Sequence, residues 1–156
     1  MIKRYLGILL SLLALIGTSA LAADQTDKVA ILERLEGWAA AFNARDAVGV
    51  CDLFTPNLVS TVPDAIEVGR DVVCERLAKL LANSQLSLHY DLDVREIIIS
   101  GDIAVVRLFW TLTTRDGTVL TVDTEAGMDV FERQADGVWS IARFLAFTMT
   151  ANESPQ

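Results

Sequence analysis

Between Asp136 and Met149 the chain reads DGVWSIARFLAFTM, a turn signal followed by an apolar run. On an unbroken strand Trp139, Ile141, Leu145, Phe147 and Met149 would share one face. Val138, Ala142, Phe144 and Ala146 would share the other. A strand apolar on both faces is covered twice, which predicts a place inside a sheet rather than at its edge. Arg143 is the charge that interrupts it.

The preceding residues divide by period. Leu32, Leu35, Trp38, Ala39 and Phe42 recur at helical spacing and predict a first helix over 24–44, with Asp24 and Asp27 at its positive end. Asp46 is placed to cap a short second helix through Phe54, ended by Pro56. Leu58–Val62 reads as a short strand stopped by Pro63. Gly69-Arg70-Asp71 opens a third helix to about Asn83, with Val73, Leu77, Leu80 and Leu81 on its buried side.

From Leu86 onward the pattern is strand. Leu86, Leu88, Tyr90, Leu92 and Val94 alternate with polar residues, and Ile97-Ile98-Ile99 breaks the alternation, which suggests a bulge. Turns at Ser100-Gly101-Asp102, Asp116-Gly117 and Ala135-Asp136-Gly137 join four strands into a meander. Three helices followed by such a meander predict an α+β fold, with the helices on one face of a curved, mostly antiparallel sheet. No internal repeat or second domain interrupts it, and a polar tail, 151–156, follows.

Turn geometry extends this to side-chain neighbours. A two-residue turn at Asp116-Gly117 puts Trp110 opposite Asp123, Leu108 opposite Glu125 and Ala104 opposite Asp129. A three-residue turn with Gly137 in the left-handed region pairs Gln134 with Val138, Phe131 with Ile141 and Asp129 with Arg143. Trp110, Leu108, Phe131, Trp139, Ile141, Leu145, Asp129 and Arg143 then share the concave face. An ionised Asp129 held by Arg143 is the expectation, since a neighbouring guanidinium favours the carboxylate. Phe144, Ala146, Val130 and Val122 fall on the convex side, an apolar face suited to a homodimer contact.

The N-terminus changes the setting. Lys3 and Arg4 precede an apolar run from Leu6 to Ile16, then small residues and Ala20-Leu21-Ala22, the pattern of a secretory signal peptide over 1–22. The apolar run is too short for a membrane anchor, which needs about 20 residues. A periplasmic or secreted domain over 23–150 is expected. Loss of Lys3 and Arg4, with no acid, takes the formal net charge from −8 to −10. An acidic domain without a basic cluster argues against nucleic acid and anionic membranes as partners. In an oxidising compartment Cys51 and Cys74 can form a disulfide, favoured here over two buried thiols.

Chemistry-bearing motifs are sparse. His89, the single histidine, alternates onto a polar strand face with Asp91 and Asp93, which lie about 7 Å apart at strand spacing without a further ligand. No phosphate loop, CxxC, HExxH or G-x-S-x-G occurs, so neither metal nor cofactor is expected.

The spacing Trp38-(x3)-Phe42-(x3)-Asp46, the Gly69-Arg70-Asp71 helix start and the closing Asp-Gly-x-Trp-x-Ile resemble the nuclear transport factor 2-like superfamily, which includes ketosteroid isomerases and SnoaL-like polyketide cyclases. The resemblance implies a conical α+β barrel, a mostly apolar pocket at its open end and often a homodimer. Ketosteroid isomerases need a carboxylate base, and a Tyr with a protonated Asp for the substrate oxygen. On that alignment the base falls on Val62, the oxyanion Tyr on Trp38 and a second Tyr on Leu77. The oxyanion Asp alone has a counterpart, Asp129. Steroid isomerisation is therefore not expected. Trp38, Phe42, Val62, Leu77, Trp110, Asp129, Phe131 and Arg143 are the expected pocket residues. Two functions follow: an exported module binding a small hydrophobic ligand, or a lyase or isomerase using Asp129 and Arg143.

Overall fold

The computed structural model describes the backbone over residues 6–63 and 67–149 and the side chains over 23–63 and 67–149. The expected leader, 1–22, lies outside the described side chains, and the tail, 151–156, outside the described residues. The elements run α1 (Leu6–Asn43), α2 (Gly49–Asp52), β1 (Phe54–Thr61), α3 (Arg70–Ala82), β2 (Leu86–Ser100), β3 (Ile103–Asp116), β4 (Val119–Arg133) and β5 (Trp139–Thr148). The strands form one sheet in the order β1-β5-β4-β3-β2, antiparallel except where β1 runs parallel to β5. The strand apolar on both faces, β5, is thus flanked on both sides, as its pattern requires.

The helices lie on one face of the sheet, where Ile31 and Leu35 of α1 pack on Val106, Leu108, Phe131 and Trp139 of the strands, all nearly or fully buried. Three attachments set their positions. At the end of α1, the Asn43 amide donates to Tyr90 O (3.0 Å) and accepts from Tyr90 N (2.8 Å). That satisfies the edge of β2 at Tyr90, which would otherwise present unpaired backbone there. Arg70 at the start of α3 donates to the carbonyls of Cys51 (3.0 Å) and Phe54 (3.2 Å). A Cys51–Cys74 disulfide, with Cα atoms 5.7 Å apart, joins α2 to α3.

Local chemistry departs from the sequence expectation at five points. The first helix is continuous from Leu6 to Asn43, so Asp24 and Asp27 lie within it rather than at its positive end, and Asp27 pairs with Arg133 instead. The second helix shrinks to Gly49–Asp52, although the Asp46 carboxylate does accept from Val48 N (3.1 Å) and Gly49 N (2.9 Å). The first strand begins at Phe54 and runs through Pro56, because β1 is an edge strand whose register is irregular between Phe54 and Val59. The bulge of β2 falls at Arg95 rather than in the isoleucine run. The β3–β4 loop is Gly117-Thr118 rather than Asp116-Gly117, with φ 57° at Gly117 as a type II′ hairpin favours. That shift moves every β3–β4 pair by two residues, so Trp110 faces Glu125 and Val106 faces Asp129. A two-residue change leaves each side chain on its expected face.

Candidate functional site

Loop geometry fixes the start of the β4–β5 hairpin. Gly137, at φ 86°, closes a three-residue turn, and Gln134 N donates to Val138 O at 2.8 Å. Phe131 pairs with Ile141, but Val130 pairs with Arg143, so Ala142 is an extra residue on β5. A bulge of one residue reverses every later side chain. Phe144 and Ala146 therefore turn inward, while Arg143, Leu145 and Phe147 turn outward.

The expected Asp129–Arg143 pair does not form. Asp129 pairs with Phe144, and the Arg143 guanidinium donates to Asn57 O (3.1 Å) and Ala142 O (2.6 Å) on the outer side. The same bulge corrects the convex face: Phe144 and Ala146 leave it, and Leu145 and Phe147 join Val122, Met128 and Val130 there.

Under the helices the inward face leaves a cavity of about 170 Å³. Leu53, Phe54, Leu77 and Leu80 wall it from the helical side and β1, with Ile141, Phe144 and Ala146 from β5. Trp38, Phe42, Tyr90 and Trp110 form a second wall of rings in mutual contact, with centroids 4.9 Å apart for Trp38–Trp110 and 4.6 Å for Phe42–Tyr90. Such offset and edge-on contacts hold rings in fixed orientations. The Trp38 indole N–H is buried without a hydrogen-bond partner among the described residues. β4 contributes Glu125, Gly127 and Asp129 in alternation.

Of the expected pocket residues, Trp38, Phe42, Leu77, Trp110 and Asp129 line this space. Three do not. Phe131 is fully buried in the core beside Ala104 and Ile141. Val62 lies one residue past the end of β1 and off the lining, and Arg143 is turned out by the bulge. Tyr90 and Glu125 belong to the site but were not among the expected residues. Their signal was available, since Tyr90 stands on the apolar side of β2's alternation and the hairpin arithmetic already put Glu125 on the face of Leu108 and Trp110.

The polar groups of the cavity are acids and a phenol. Asp129 is 5% exposed, and no described residue hydrogen-bonds or ion-pairs its carboxyl. Burial alone lifts it to about 7 from an ordinary 3.8. Tyr90 Oη lies 3.4 Å from Glu125 Oε2 and donates to it. Burial raises Glu125, with Asp123 adding to the effect and the Tyr90 hydrogen bond opposing it. Burial, then the charge of Glu125, raises Tyr90. His89, Asp91 and Asp93 sit on the exposed side of β2, outside the cavity lining, with His89 Nε2 3.4 Å from Asp91 Oδ1.

A SnoaL-like domain model matches residues 35–143. Similar solved structures include a ketosteroid isomerase-like protein from Erwinia carotovora atroseptica, at 22% identity over 78% of this chain and 95% of that one (TM-score 0.66). An NTF2-like protein with a cystatin-like fold from Novosphingobium aromaticivorans matches at 17% identity over 88% and 91% (TM-score 0.74). A conserved protein from Planctomyces limnophilus matches at 20% identity over 80% and 98% (TM-score 0.71). At these identities the likeness is one of fold. No curated protein matches in sequence.

Proposed function

The chain belongs to the SnoaL-like domain family of the nuclear transport factor 2-like superfamily, and from that premise we propose that it binds one small, largely hydrophobic ligand in the cavity around Asp129. One observation carries this reading: the buried Asp129, whose carboxyl no described residue hydrogen-bonds, opens onto an apolar, ring-walled space. Burying a polar group without a hydrogen bond destabilises a fold unless something else satisfies it, and a ligand's polar group would do so. Size bounds the ligand. An apolar cavity of ~150 Å³ takes a benzene molecule, so about 170 Å³ suits a single ring with a short substituent. A four-ring steroid is far larger.

A second reading has its own support. A carboxyl near 7 can both give and take a proton at neutral pH, which is what general acid–base catalysis needs. An isomerase or lyase on a small hydrophobic substrate would then use Asp129, without Arg143. Turnover of the bound molecule, rather than its recovery unchanged, is the result that favours this reading.

Two further proposals concern setting and assembly. The leader-like run over 1–22 supports action after export, and a Cys51–Cys74 bond suits an oxidising compartment. The apolar outer face of β4 and β5 supports a homodimer. The ligand reading is tested by native mass spectrometry of the purified protein with benzyl alcohol. A saturable adduct of one molecule per chain is expected, and no adduct at millimolar ligand would contradict it.

A further inference from the structure

Among the described residues, every titratable side chain lining the cavity is an acid or a phenol: Asp129, Glu125 and Tyr90. No described lysine, arginine or histidine shares the lining. We propose that the ligand is a small hydrophobic amine, bound as its ammonium ion; this rests on the cavity being a ligand site.

Three features of the geometry select that class. First, Glu125 and Asp129 lie two positions either side of Gly127 on the inward face of β4, so both carboxyls address one space. An anionic ligand would meet two acidic groups and no counter-charge, whereas a cation would favour the ionised form of both, in surroundings where charge interactions are poorly screened. Second, the charge of Glu125 has no cation beside it among the described residues, and its one hydrogen bond comes from Tyr90. A bound ammonium would supply that cation, and its three N–H donors match the acceptors that both carboxyls offer. Third, Glu125 stands opposite Trp110 on β3, and the Trp110 ring packs on Trp38 (4.9 Å) and Tyr90 (5.6 Å). Indole and phenol faces attract cations, and rings with a carboxylate beside them form the usual receptor for organic ammonium groups.

The Trp38 N–H, without a partner among the described residues, would suit a ligand acceptor instead. A neutral alcohol is therefore the competing ligand. Three probes of one shape separate the cases: 2-phenylethylamine, 2-phenylethanol and 3-phenylpropanoate, each titrated into the purified protein and followed by tryptophan fluorescence, since Trp38 and Trp110 wall the cavity. The amine should bind at least about tenfold more tightly than the alcohol, with the carboxylate weakest. Glu125→Gln should bring the amine-to-alcohol ratio close to one. Tyr90→Phe, which keeps the ring and frees the carboxylate, should retain or raise the ratio; it is also the informative variant if Glu125→Gln fails to fold. Equal or tighter binding of the alcohol or the carboxylate overturns the amine assignment and leaves the ligand site standing. No response to any of the three at millimolar concentration overturns both.

Discussion

Asp129 concentrates the chemistry of this protein in one side chain. Hairpin arithmetic brings it to the inward face, but its state depends on a neighbour that a single bulged residue removes. With Arg143 turned outward, burial dominates and favours the neutral acid. The pH dependence follows. In the unfolded chain the group ionises near 3.8 and in the folded chain near 7, so between those values the folded state holds the extra proton. Stability of the unliganded protein should be greatest below the lower value, fall as pH rises through the interval, and level off above about 7. The span corresponds to on the order of 4 kcal/mol, an upper figure for this group. Denaturant unfolding of wild type and Asp129→Asn across that range checks it: the variant should lose the slope, and parallel curves would show that Asp129 does not titrate in this way.

At the scale of elements, patterning and capping carried most of the fold. The alternation of β2, the helical spacing of Leu35, Trp38 and Phe42, and the Gly69 start of α3 are local signals, and they survive folding unchanged. Ala142 illustrates what local pattern hides. Because β5 is apolar on both faces, slipping it by one residue leaves an equally apolar strand, and nothing in its composition reports the reversal. Phe144 and Ala146 were thus hidden from the site, and Arg143 was wrongly given to it. The turn at Gly117 was misplaced too, yet harmlessly, since an even shift conserves faces. The helices have a covalent tie as well. Cys51 and Cys74, 23 residues apart, close a loop whose entropy is worth about 3 kcal/mol in the unfolded chain. Cys51→Ala with Cys74→Ala should lower unfolding stability by roughly that amount. A loss within error would mean that burial of α2 and α3, not the bond, holds them together.

At the scale of the molecule, two apolar surfaces lie on opposite faces of one sheet. The inner one is the cavity. The outer one exposes Met128, Leu145 and Phe147 at 46%, 39% and 52%, with Val122 beyond them at 59%. An exposed apolar patch of this kind is the basis of the proposed association, and a two-fold axis would cover it with its own copy. The proposed dimer should sediment as such at micromolar concentration and dissociate on Leu145→Arg; a monomeric wild type would contradict it. The inner surface carries the central claim, that the space around Asp129 is built to hold a ligand. Titration calorimetry with benzyl alcohol, on wild type and on Ala146→Trp, tests this most directly, because Ala146 lines the cavity and an indole there would occupy it. Wild type should bind one molecule per chain, with a negative heat-capacity change from apolar burial, and the folded variant should show no binding. Equal affinities for the two proteins would place the ligand elsewhere and contradict the account.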